Sequence, residues 1–280
     1  MSDTLPLRLV LASASPARRK LLQAAGIEPD VLVSGVDESV VVTDRAEDLC
    51  LELARLKAQA VLGRLHPAAT TKAVSPAAGT GSTAPNGPAN DTDASPAADA
   101  SSAADARSAT DANPATGSAG EDATAGTGQR TLIIGCDSVL AFDGEILGKP
   151  TDPADATRRW LRMRGRSGVL HSGHCLIDLV SGQRAEAVAS TVVHFADISD
   201  DEIAAYVATG EPLAVAGAFT IDGLGGSFVE RIEGDPGAVV GLSMPLLRRL
   251  LAELGLEITD LWTKVAPGGQ SVEPLGNVHS

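Results

Sequence analysis

Aromatic residues make up 2% of the 280-residue chain: two Trp, one Tyr and four Phe. That is little for a chain that must fill a core, because each ring buries a large apolar area. Cysteine is scarce too. Cys50, Cys136 and Cys175 are odd in number, widely spaced and without a CxxC pair. This excludes a disulfide scaffold or zinc module and points to a reducing compartment. Basic residues are few, 22 Lys and Arg against 36 Asp and Glu, for a net charge of −14. A phosphate-backbone binder needs the opposite balance, so nucleic acid is not an expected partner. A small anion in a local basic pocket remains open. No stretch reaches the length of a membrane span, and the start, MSDTLPLRLVLASAS, lacks the apolar run of a secretion signal. The expectation is a soluble, cytoplasmic protein without a membrane partner.

Part of the scarcity is local. From His66 to Gln129 the chain is nearly all Ala, Thr, Ser, Gly, Pro, Asp and Asn, with Val74 its one branched apolar residue. Such a stretch cannot bury enough apolar surface to offset the entropy of ordering it. Its prolines also break any Ala-driven helix. We expect a disordered low-complexity insert at 66–129. Loop closure costs only logarithmically with length, so 1–65 and 130–266 are expected to form one discontinuous domain. The polar, Gly-rich residues 267–280 read as a flexible tail.

Hydrophobic periodicity predicts strands at 7–12 and 28–36, and helices at 17–25 and 46–65. After the insert it predicts a strand at 131–134 and a hairpin joining 139–142 to 145–147 through Asp143-Gly144. There follow a helix at 153–163, strands at 171–179 and 185–195, a capped helix at 199–209, short strands at 219–221 and 227–232, and a helix at 245–254. Strands alternating with helices indicate an α/β fold, a mixed twisted sheet with flanking helices.

Three constellations bear chemistry. Ser13 to Arg19 joins a strand to a helix whose start is marked by Ser15-Pro16. A helix N-terminus offers unpaired N–H groups and a positive dipole end to an anion; Ser13 and Ser15 add hydroxyls and Arg18 a bidentate fork. No GxxxxGK[ST] loop is present. Glu38 lies after the second predicted strand, and Asp137 at the end of the strand leading into Ile134-Gly135-Cys136-Asp137. Two carboxylates at strand ends could share Mg²⁺ or another hard cation, with Lys57 and Lys149 supplying positive charge from separate elements. As charges expected at the surface, Arg18 and Lys149 should matter for catalysis and little for stability. His171 and His174 lie three apart in a strand and so face opposite sides, which argues against a shared metal. His194 reads as structural.

Taken together, LVLASASPARRKLL, GVDES, LARLKA, IIGCDSVLAFDGEILGKP, DISDDEIAAYVATGEPLAVAGAFTIDGLGG and GDPGAVVGLSMPLL resemble the Maf-like nucleoside triphosphate pyrophosphatases. The motifs run in family order outside the insert and tail. The resemblance implies an α/β fold with a deep cleft between two lobes, often as a homodimer. It implies divalent-metal-dependent (Mg²⁺ or Mn²⁺) cleavage of a nucleoside triphosphate, modified ones included, to the monophosphate and pyrophosphate. By the same resemblance Ser13, Ser15 and Arg18 match the phosphate-binding loop, Lys57 and Lys149 the family lysines, and Glu38 the acidic residue after the second strand. Asp137 matches the catalytic aspartate, as metal ligand or proton acceptor. Ala17 stands where S-P-R-R has its first Arg, and Asp222 where many members carry Gln. Both departures slightly favour the branch acting on 7-methyl-GTP over the dTTP/UTP branch, with Asp222 on the base or completing the polar site. The alternative is a nucleotide-binding regulator of septum formation without turnover.

Overall fold

The computed structural model describes residues 7–66 and 129–262. Apart from His66 and Gln129, the stretch expected as an insert lies outside the described residues, as does the expected tail. Seven strands form one sheet: β1 (Leu7–Leu11), β2 (Asp30–Val31), β3 (Arg130–Phe142), β4 (Glu145–Leu147), β5 (Ser167–Asp178), β6 (Arg184–Phe195) and β7 (Val229–Glu233). Their order is β2-β1-β3-β5-β6-β7, with β4 paired to β3. The β1 strand is parallel to β2 and β3, and the other pairings are antiparallel. The helices are α1 (Pro16–Ala24), α2 (Ala46–Leu65), α3 (Pro153–Met163), α4 (Asp200–Ala208), α5 (Pro236–Val240) and α6 (Met244–Glu253). This is the mixed α/β sheet with flanking helices that the pattern predicts.

Each face of the sheet carries its own core. On one, Ala54, Ala58 and Val61 of α2 pack on Val10, Ile133, Cys175 and Ile177. On the other, Leu246, Leu247, Leu250 and Leu251 of α6 and Leu22 of α1 pack on Leu9, Leu11, Leu132, Ile134 and Leu176. The few aromatics gather in a third cluster. Trp160 is fully buried, meets Phe195, Tyr206 and Phe228 edge-on, and donates its indole N–H to the Ala218 carbonyl at 2.8 Å. Trp262 alone is largely exposed. Scarce rings are thus spent together, where T-shaped pairing adds to their area burial.

Three expectations are corrected. The second strand, predicted over 28–36, is reduced to Asp30–Val31, because it is a sheet edge with exposed Val31 and Val33 and Gly35 turns the chain at a φ of 68°. Residues 219–221 form no strand. The segment 131–142 is one strand rather than two, because β5 pairs with it from Leu132↔Asp178 to Ala141↔Val169. Asp137 is therefore mid-strand, not at a strand end. What ends there is the neighbour: the parallel ladder with β1 stops at Leu11↔Ile134, and β4 joins only at Leu140. Residues 135–139 of β3 have a strand partner only in β5, and the sheet opens beside Asp137. The hairpin at Asp143-Gly144 forms as expected, both residues at positive φ (55° and 78°), the I′ requirement.

Helix α2 lies so close to the sheet that two strand positions admit no side chain. A Cβ on Gly135 would sit 2.1 Å from the Ala54 carbonyl oxygen, and one on Gly173 2.3 Å from that of Cys50. Gly135→Ala is expected to cost about 2 kcal/mol in chemical denaturation, since backbone must move to admit the methyl. Unchanged stability would show that α2 is not held at this distance.

Candidate active site

The opening beside Asp137 is filled from three elements. The buried Lys57 of α2 places its Nζ 2.6 Å from Asp137 Oδ1 and 2.7 Å from Glu38 Oε1. Glu38 begins a 3-10 turn (Glu38–Val40) capped by Asp37, whose carboxylate accepts the Ser39 N–H at 3.0 Å. Burial pushes the Asp137 carboxyl above its ordinary value, against the pull of Lys57 and Arg18. Burial acts the same way on Glu38, but the Lys57 hydrogen bond and charge prevail and hold it below the usual range, with Lys149 and Arg18 assisting. One cation thus bridges two acids whose surroundings push them in opposite directions.

The loop after β1 supplies the second half. Ser15 caps α1 by accepting the Arg18 N–H at 3.4 Å, and Ser13 Oγ accepts the Ser15 N–H at 3.2 Å. Ser13 Oγ also accepts Arg18 Nη1 at 3.0 Å, while Arg18 Nε donates to the Gly241 carbonyl at 2.9 Å and Nη2 to Ser138 Oγ at 3.3 Å. Arg18 is only 9% exposed, and its acceptors here are neutral oxygens. Among the described residues it makes no ion pair, in contrast to Lys57. This corrects the expectation of a surface charge: Arg18 ties the loop to β3 and to the end of α5, so its removal also costs stability. A guanidinium has five N–H groups, so one on each terminal nitrogen remains for an anion.

The remaining expected residues divide. Lys149 is exposed and acts on Glu38 through space. Asp222 is exposed, accepts a hydrogen bond from Thr220 Oγ1, and acts electrostatically on Tyr206; none of these contacts reaches the Lys57 cluster. Tyr206 in turn donates to Glu211 Oε1 at 2.9 Å, and Glu211 also receives the Leu224 and Gly225 N–H groups. Glu211 therefore fastens the loop that follows Asp222, a role the sequence reading missed, as it missed those of Ser138 and Ser172.

The histidines face opposite sides of the sheet, as strand geometry requires. His171 Nδ1 meets Ser190 Oγ at 2.9 Å and lies 3.9 Å from Glu47 of α2. On the other side, fully buried His174 donates Nδ1–H to the Ser172 carbonyl at 3.0 Å and accepts the Ser243 N–H at Nε2, 2.9 Å away. The three thiols are buried, and burial pushes them up, Cys136 to about 11 and Cys50 and Cys175 to about 12. They are not activated nucleophiles.

The sequence profile of the Maf-like protein family matches residues 8–80 and 82–254. The chain belongs to this family. It is similar to a protein of Salinispora tropica named nucleoside triphosphate pyrophosphatase, 62% identical over 274 residues, covering 98% of this chain and 94% of the relative. Relatives of the same name from Streptomyces coelicolor (46% identical) and Nocardia farcinica (41%) each cover 91% of this chain, and 94% and 96% of their own length.

Proposed function

We propose that the chain is a nucleoside triphosphate pyrophosphatase that hydrolyses its substrate to the monophosphate and pyrophosphate. One observation carries the reading: Arg18, a buried guanidinium without an anionic partner among the described residues, acts on the same acid pair that Lys57 bridges. A buried charge is costly unless paired, and the triphosphate supplies the missing partner. The names of the similar proteins point the same way.

In this reading Arg18, Lys57, Lys149 and the hydroxyls of Ser13 and Ser15 hold phosphate oxygens and take up charge as pyrophosphate leaves. Glu38 and Asp137 suit a divalent cation, Mg²⁺ or Mn²⁺. Both carboxylates converge on the Lys57 ammonium, and two carboxylates beside phosphate and water are a donor set such cations accept. A bound cation would polarise the scissile phosphoryl group and lower the pKa of water. Asp137 Oδ1 is engaged by Lys57, leaving Oδ2 to receive the proton of the attacking water or to join Glu38 as a ligand. Asp222, apart from the cluster, is assigned to the base. The buried thiols fit a reducing cytoplasm.

The test is a panel of standard and modified nucleoside triphosphates, 7-methyl-GTP included, assayed with Mg²⁺ or Mn²⁺ for pyrophosphate against orthophosphate. Pyrophosphate from at least one nucleotide is expected. None from any would leave a binding protein without turnover.

A further inference from the structure

We propose that Ser138 and Ser172 form a positioning relay that fixes the Arg18 guanidinium for phosphate binding and couples it to α5. The two serines are registered opposite each other on β3 and β5, and their Oγ atoms are 2.7 Å apart. Ser172 is fully buried, and its Oγ lies 2.7 Å from the Ala238 carbonyl oxygen of α5. A carbonyl only accepts, so the Ser172 hydrogen is committed to Ala238. Ser138 must then donate to Ser172, which turns a Ser138 lone pair towards Arg18 Nη2 at 3.3 Å. The chain runs one way: Arg18 to Ser138, Ser138 to Ser172, Ser172 to Ala238. Each link polarises the next and strengthens the acceptor that Arg18 meets.

Arg18 Nε donates meanwhile to Gly241, just past the last residue of α5. Arg18 is thus bound to α5 twice, directly at Gly241 and through both serines at Ala238. Nε on Gly241, Nη1 on Ser13 and Nη2 on Ser138 together fix the guanidinium plane, so its spare N–H groups keep one direction. A fork held in place loses less entropy when phosphate binds. Neither serine need touch the nucleotide; both act through Arg18.

The proposal rests on Arg18 binding phosphate, and a double-mutant cycle separates the two ideas. Affinity for inorganic pyrophosphate in Mg²⁺ buffer is measured by calorimetry, with KM and kcat for the best nucleotide of the panel. Ser172→Ala is expected to raise both the pyrophosphate Kd and KM roughly fivefold, the weight of one hydrogen bond. Ser172→Thr, which keeps the hydroxyl, restores binding, and Ser138→Ala, at a less buried position, gives the same shift. In an Arg18→Lys background Ser172→Ala has no further effect. Unchanged Kd in folded Ser172→Ala and Ser138→Ala, or an equal loss in both backgrounds, overturns the relay. Wild-type pyrophosphate affinity in Arg18→Lys itself overturns the phosphate reading of Arg18 and the relay with it.

Discussion

Asp137→Asn is expected to lower kcat for the preferred nucleoside triphosphate by about three orders of magnitude, within the range for loss of a positioned acid or base. Its melting temperature is expected to stay within about 5 °C of wild type. Asn has the shape of Asp, and its amide oxygen can still accept from Lys57. Lys57 keeps Glu38 as an ionic partner at 2.7 Å. Because burial raises the Asp137 carboxyl above its ordinary value, the folded protein disfavours its ionised form, and Asn removes that burden. Activity and stability should therefore separate at this position. Near-wild-type turnover in a folded Asp137→Asn protein would remove Asp137 from the chemistry.

The acid–lysine half of this site was legible in the chain. Glu38, Lys57 and Asp137 stand in short, recognisable motifs, and the structure joins all three at one ammonium. The helices α2 and α3 are equally legible: both fall where periodicity puts them, α3 with Asp152 as its cap. The environment of Arg18 was not. Its partners Ser138 and Gly241 lie 120 and 223 residues away in sequence, and a backbone carbonyl used as an acceptor leaves no mark on residue identity. Local pattern puts Asp137 at a strand end, where the apolar run gives way to Gly135. In the sheet Gly135 is a clearance for α2, and only the pairing with β5 shows that the strand continues. Local pattern reports where elements are, while the register between distant strands decides which side chains face one another.

Stability is expected to fall as pH drops from about 6.5 towards 4, and His174 should account for about 3 kcal/mol of that loss. Burial holds its imidazole down at about 4, with the Arg18 charge acting the same way, while the Ser172 carbonyl and Asp235 oppose it. In the unfolded chain an ordinary histidine takes its proton near 6.5. Between these values the unfolded state binds more protons than the folded one, so acid favours unfolding. The contribution is complete above about 6.5 and is lost as pH falls through the folded value. Geometry gives the same answer. The Ser243 N–H donates to Nε2, so Nδ1 carries the single proton, and a second proton on Nε2 would face a donor. His174→Gln keeps an acceptor for Ser243 and removes the titration. Denaturation of both proteins from pH 7 to pH 5 should show the stability advantage of wild type shrinking by about 2 kcal/mol. His171 is lowered by burial against the pull of Glu47, but it is present in both proteins and cancels. A difference that stays constant with pH would mean that His174 does not titrate against folding. The consequence reaches the site, because Ser243 follows two residues after Gly241, whose carbonyl anchors Arg18.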